Sequence, residues 1–125
     1  MEDGIKILIA EDNSLLRGVL RDALEEAGMT VVGEAGDGLE AVTVAERTRP
    51  DVVVMDMRMP NVDGIEATEQ IASADWAMPV VVLSAYDEPQ MIEAALAAGA
   101  SNCLKKGVGL DELIDAIRAA DTTRR

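Results

Sequence analysis

Two stretches of this chain, Val52-Val53-Val54-Met55 and Val80-Val81-Val82-Leu83, are apolar at every position. A strand with one face in water alternates apolar and polar residues, so a strand without alternation needs cover on both faces. Segments with apolar residues at helical spacing lie between the apolar runs. That alternation points to an α/β class fold, a parallel sheet with helices on both faces.

Five strands are expected, at residues 5–10 (IKILIA), 30–35 (TVVGEA), 52–56 (VVVMD), 79–85 (PVVVLSA) and 102–105 (NCLK). A first helix is capped by Asn13 or Ser14, carries an apolar stripe of Leu15, Leu16, Val19, Leu20, Ala23 and Leu24, and stops at Gly28. A second follows Gly36-Asp37-Gly38, turns Ala41, Val42 and Ala45 inward, and is closed off by Pro50. A third, over about 65–72, follows Asp63-Gly64. A fourth follows Pro89 with Met91, Ile92, Ala95 and Leu96, and stops at Gly99. Leu110, Leu113, Ile114 and Ile117 mark the last helix at i, i+3, i+4 and i+7.

The 125 residues suffice for one domain, expected over 1–121, with the polar residues 122–125 read as the start of a linker. Phenylalanine is absent and the aromatics are one Trp and one Tyr, so the core is expected to be aliphatic. Eleven basic against 24 acidic residues give a net charge of −13. That argues against direct nucleic-acid or anionic-membrane contact and favours a cation or a basic partner. With no histidine, a His-based metal site or general base is excluded; with one cysteine, Cys103, no internal disulfide can form. The N-terminus lacks a secretory pattern and no segment has membrane-spanning length, so a cytoplasmic address is expected.

A parallel sheet brings the carboxyl ends of its strands to one rim, where α/β folds place their ligands. Here those ends carry Glu11 and Asp12, then Asp56, then Ser84 and Ala85, then Lys105 and Lys106. Neighbouring carboxylates repel, and a hard divalent cation relieves that repulsion. Mg²⁺ is the expected ion, with Asp12 and Asp56 as ligands, Glu11 direct or through water, and the backbone carbonyl of Arg58 as a further oxygen. A carboxylate beside Mg²⁺ and a lysine can attack a phosphoryl group and form an acyl phosphate. The Ser84 hydroxyl can bind a phosphoryl oxygen, the small Ala85 leaves access to Asp56, and Gly64 and the Pro60 turn shape the pocket wall. Each residue alone has a blander reading: Asp56 as a cap or turn, Glu11-Asp12 as a solvated turn, Ser84 as structural, either lysine as a solvated charge, Cys103 as a small buried hydrophobe. Their joint order along the strand ends favours chemistry.

The segments ILIAEDN, VVVMDMRMPNVDG, VVVLSAYD and GASNCLKK together resemble the CheY-like receiver domain of bacterial two-component response regulators. VVGEAGDGLEAV and MDMRMPNVDGIEAT resemble more closely receivers of the NarL/FixJ subfamily, which carry a LuxR-type helix-turn-helix output domain. The resemblance covers about residues 5–120. It implies a flavodoxin-like (βα)5 sheet in the order 2-1-3-4-5. It implies that Asp56 accepts a phosphoryl group from the phosphohistidine of a sensor histidine kinase. The switch that follows acts through a homodimer or through an output domain, which alone would contact DNA. Counting from Gly99-Ala100 places the family lysine at Lys106 rather than Lys105, and Ser84 matches the switch Thr/Ser. Two positions depart from the pattern: Cys103 replaces the usual aromatic three residues before the lysine, and Gly107 replaces the usual Pro or Asp after it. Tyr86 is expected at the site entrance. An aspartyl phosphohydrolase is the enzymatic rival, but it wants a second acid two residues after the nucleophile, where this chain has Arg58. The other rival is an interaction module that is never phosphorylated.

Overall fold

The computed structural model describes residues 4–59, 61–85 and 89–124, with residues 123 and 124 described by backbone alone. Pro60 and Tyr86, expected at the pocket wall and entrance, lie outside the described residues. The elements alternate throughout: β1 Lys6–Ala10, α1 Ser14–Glu26, β2 Thr30–Ala35, α2 Gly38–Thr48, β3 Val52–Asp56, α3 Gly64–Ala72, β4 Val80–Ser84, α4 Pro89–Ala97, β5 Asn102–Lys105 and α5 Leu110–Arg124. The strands form one parallel sheet in the order β2-β1-β3-β4-β5.

The sheet has two apolar faces, each with its own layer. Leu8, Val53, Met55, Val80 and Val82 pack with Ala41, Val44 and Ala45 of α2, Ala67 and Ile71 of α3, and Ala95 of α4. Ile7, Ile9, Val52, Val54, Val81 and Leu83 pack with Leu24 of α1 and with Leu113, Ile114 and Ile117 of α5. β3 and β4 are buried at every position, as their unbroken apolar runs require.

Local chemistry sets the ends of several elements. Asn13, Asp37 and Asp63 each stand in extended backbone at a helix start and accept a backbone N–H three residues on. β4 begins at Val80 rather than Pro79, and its last residue is Ser84, leaving Ala85 exposed beyond it. Proline has no N–H for a ladder, although the Pro79 carbonyl still accepts from the Val53 N–H. β1 begins at Lys6 rather than Ile5, and α5 runs on through Thr122 to Arg124.

The expected stripe on α1 is corrected. Leu15 is 78% exposed and Val19 57%, Leu16 is also exposed, and only Leu24 is fully buried. α1 and α5 pack on this side of the sheet, and Leu15 and Val19 lie on the solvent side of α1 rather than against it. In α2 the inward residues are Ala41, Val44 and Ala45, with Val42 only half-buried. Leu96 and Leu110 are likewise exposed.

β2 carries one irregularity. Ile7 pairs with Val31 but Leu8 pairs with Gly33, so Val32 is an extra residue in the ladder. The bulge resets the alternation of faces. Val31 packs on the α1 and α5 side, Gly33 lies against Leu8 and Val44 on the other, and Glu34 comes round beneath α1.

Candidate functional site

Asp56 is the last residue of β3 and is 4% exposed. The strand is central, so Asp56 sits over the middle of the sheet edge. Gly64 starts α3 directly against it: the Gly64 N–H donates to the Met57 carbonyl at 2.8 Å, and a Cβ at Gly64 would come within 2.1 Å of the Asp56 carbonyl oxygen. The Arg58 N–H reaches Asp56 Oδ1 at 3.4 Å, while its side chain is exposed.

Glu11 follows β1, on the strand next to β3. Its N–H donates to the Ala35 carbonyl at 2.9 Å, and its carboxylate is buried, with 2% of the residue exposed. Glu11 Oε2 accepts the Asn13 N–H at 3.1 Å. Carboxylate oxygens of Glu11, Asp12 and Asp56 all lie within 4.8 Å of one another, with Asp12 at the exposed edge.

Lys106 closes the group from the opposite side. It follows β5 in a turn, and its N–H donates to the Ser84 carbonyl at 2.6 Å. Its Nζ is 3.2 Å from Glu11 Oε1 and 3.2 Å from Asp56 Oδ2. Lys105 is exposed. Of the two adjacent lysines, then, it is Lys106 that reaches the acids. Gly107 takes φ +97°, a conformation costly for a residue with a Cβ, and allows the chain to turn off β5 at once. Ser84 is buried on β4, opposite Lys105 in the ladder and one step beyond Leu83, the partner of Asp56.

The electrostatics follow from crowding and burial. Burial pushes the Glu11 carboxyl up; the Asn13 N–H opposes this and the Asp56 charge reinforces it. Burial alone would lower the Lys106 ammonium, but the Asp56 and Glu11 carboxylates outweigh it and raise it. One ammonium thus faces two of the three carboxylates. Among the described residues, Glu11 Oε1 is buried and has no hydrogen-bond partner apart from this ion pair. A cluster of hard oxygen donors with a spare buried lone pair fits a hard divalent cation.

Two features escaped the sequence. Arg17 of α1 donates from Nη1 to the Glu11 carbonyl at 2.6 Å and from Nε to Glu34 Oε1 at 3.1 Å. Asn61 donates to Asp37 Oδ2 at 2.9 Å, tying the loop after β3 to the cap of α2. The available signal for the first was the i, i+4 spacing of Arg17 and Arg21 beside a single charged residue in β2. Cys103, read as a small hydrophobe, is half-buried against the core, and burial pushes its thiol up. Among the described residues no helix is long and apolar enough to cross a membrane.

Comparison with known proteins agrees with this fold. The family model described as response regulator receiver domain matches residues 7–118. The transcriptional regulatory protein PdtaR of Mycobacterium tuberculosis (strain CDC 1551 / Oshkosh) is 48% identical over 115 residues, which cover 92% of this chain and 56% of that protein. The chain therefore spans little more than half the length of this relative. Among solved structures, the signal receiver domain of the response regulator NarL from Mycobacterium tuberculosis superposes with a TM-score of 0.92 at 31% identity, covering 99% of this chain and 100% of that one. A chain of the CheX-CheY-BeF3-Mg+2 complex from Borrelia burgdorferi gives a TM-score of 0.86 at 25% identity, covering 92% of this chain and 87% of that one.

Proposed function

The chain belongs to the response regulator receiver domain family, and from that premise we propose that Asp56 is its phosphoacceptor, charged by the phosphohistidine of a sensor histidine kinase. A carboxylate oxygen of Asp56 attacks the phosphorus, the P–N bond breaks, and the imidazole leaves with the electron pair and takes a proton from solvent. The observation that carries this reading is the position of Lys106 Nζ, 3.2 Å from both Asp56 and Glu11. There it meets the incoming phosphoryl oxygens as they crowd the carboxylates.

Glu11, Asp12 and Asp56, with the Arg58 carbonyl, would hold Mg²⁺, the ion named in the Borrelia complex. When bound, the ion supplies neutralising charge to the transferring oxygens. Ser84 donates its hydroxyl to a phosphoryl oxygen, and Ala85 leaves the approach open. The domain thereby assists its own phosphorylation and hydrolysis without turning over a separate substrate. The exposed Arg58 side chain sets the pace of hydrolysis; an unchanged decay rate in Arg58→Ala would remove that role.

The outcome is a switch that controls a DNA-binding output domain or a homodimer in the cytoplasm. PdtaR is named a transcriptional regulator, which supports the first. The exposed Leu15 and Val19 on α1, beside a recess lined by Leu16, Leu20, Leu83, Val108 and Leu113 that adjoins Lys106, support a protein partner at this flank.

The test is intact-protein mass after incubation with acetyl phosphate and Mg²⁺. One added phosphoryl group is expected, absent in Asp56→Asn and absent in EDTA. No adduct, together with no binding of beryllofluoride, would instead make the domain an unphosphorylated interaction module.

A further inference from the structure

We infer that Arg17 is a positioning residue for the acidic pair: it fixes the peptide plane between Glu11 and Asp12 and so aims the exposed Asp12 carboxylate at the cation. The inference rests on the cation site proposed above.

The oxygen that Arg17 holds belongs to that peptide bond. Glu11 is anchored three further ways, by its N–H on Ala35, its Oε2 on the Asn13 N–H and its Oε1 beside Lys106. Asp12 lies at the exposed edge of the cluster. Its Cα direction is set by the plane of the preceding peptide, because a trans peptide is rigid. The 2.6 Å bond from Arg17 Nη1 to the Glu11 carbonyl pins that plane.

The guanidinium is itself steered. Glu34 Oε1 accepts from Arg17 Nε at 3.1 Å, and Glu34 Oε2 accepts from Arg21 Nη1 at 2.8 Å. Gly36 leaves the far side open: a Cβ there would stand 3.4 Å from Arg17 Nη1. The bulge at Val32 is what carries Glu34 to this face. A chain of contacts thus runs from the edge strand through one side chain to the cation ligands. A lysine at position 17 would not substitute, since an ammonium is a point donor and lacks the planar fork that reaches carboxylate and carbonyl together.

Arg21 is the internal control, because it shares Glu34 but does not touch Glu11. The experiment is a calorimetric Mg²⁺ titration of wild type, Arg17→Ala, Arg17→Lys and Arg21→Ala, well below each melting temperature and with no phosphoryl donor. The amide shifts of Asp12 and Asn13 are followed in parallel. Arg17→Ala is expected to weaken Mg²⁺ binding by about tenfold, as for other groups that orient metal ligands, and to move both amides. Arg17→Lys is expected to recover only part of the affinity, and Arg21→Ala is expected to bind as wild type. Equal binding by Arg17→Ala, or an equal loss in Arg21→Ala, would overturn the inference while leaving the cation site standing. If the wild type takes up no Mg²⁺, the proposed cation site fails and this inference with it.

Discussion

Asp37 and Asn61, 24 positions apart, are joined side chain to side chain at 2.9 Å. Asn61 takes φ +67°, so the bond braces a left-handed residue in the loop that leaves Asp56. The Glu40 N–H donates to the other Asp37 oxygen at 2.7 Å. That N–H first, then Asn61, holds the Asp37 carboxyl below its ordinary value of 3.8. A depressed carboxyl stabilises the fold above its unfolded value and loses that contribution as pH falls through the folded one. Asp37→Ala is therefore expected to melt lower than wild type at pH 7. The gap should narrow as pH drops below about 3.8, which paired thermal melts would read.

Gly64 and Gly18 make opposite predictions for the same substitution. A Cβ at Gly64 meets the Asp56 carbonyl oxygen at 2.1 Å and Met57 Cα at 2.8 Å, both backbone atoms that cannot rotate away. Gly64→Ala should cost about 2 kcal/mol or more by overpacking. Gly18, inside α1, has nothing beyond its own helix backbone within 4 Å of its added Cβ among the described residues, so Gly18→Ala should stabilise by roughly 0.5–1 kcal/mol. Urea unfolding of the two variants decides both, and an equal sign for them would contradict this packing.

The adjacent lysines should separate cleanly in phosphorylation. Lys106→Ala removes the ammonium between Glu11 and Asp56 and should slow labelling by acetyl phosphate by about tenfold or more. Lys105→Ala should label at the wild-type rate. The mass assay already described reads both, and the reverse pattern would reassign the site lysine.

Glu11 gives a pH test with the other sign. Its raised carboxyl means that the folded chain holds this proton more tightly than the unfolded chain does. Stability is then lost as pH rises from the ordinary value of 4.5 through the raised one. Without divalent cation, Glu11→Gln should be more stable than wild type at pH 7, and the advantage should vanish below pH 4.5. A hundredfold excess of Mg²⁺ over its dissociation constant stabilises a competent site by about 2.7 kcal/mol. Magnesium should therefore favour the wild type over Glu11→Gln in melts at neutral pH.

Period and punctuation make most of the architecture legible in the sequence. The unbroken runs of β3 and β4 announced a sheet covered on both sides, and Asp37 and Asp63 announced helix starts. The strand-end carboxylates were legible for the same reason, since a parallel topology gathers strand ends. Periodicity does not say whether a neighbour exists to cover an apolar stripe, and so the exposure of Leu15 and Val19 within the α1 stripe is not legible in it. It also does not count ladder registers, so the extra residue at Val32 and the arrival of Glu34 beneath Arg17 were invisible. Choosing Lys106 over Lys105 requires a family spacing, because the two stand side by side where the same strand ends.

The three acids stand at the ends of two inner strands, β1 and β3, whereas the Lys106 ammonium is delivered just past β5, an edge strand with exposed ends and a half-buried middle that pairs with β4. Edge strands open locally at lower free energy than central ones. Here such an opening would withdraw Lys106 and leave buried carboxylates facing each other, which adds an electrostatic penalty to peeling that edge away. The cluster is therefore also a latch: its charges contribute to the opening energy of this edge strand, and anything that neutralises them resets it.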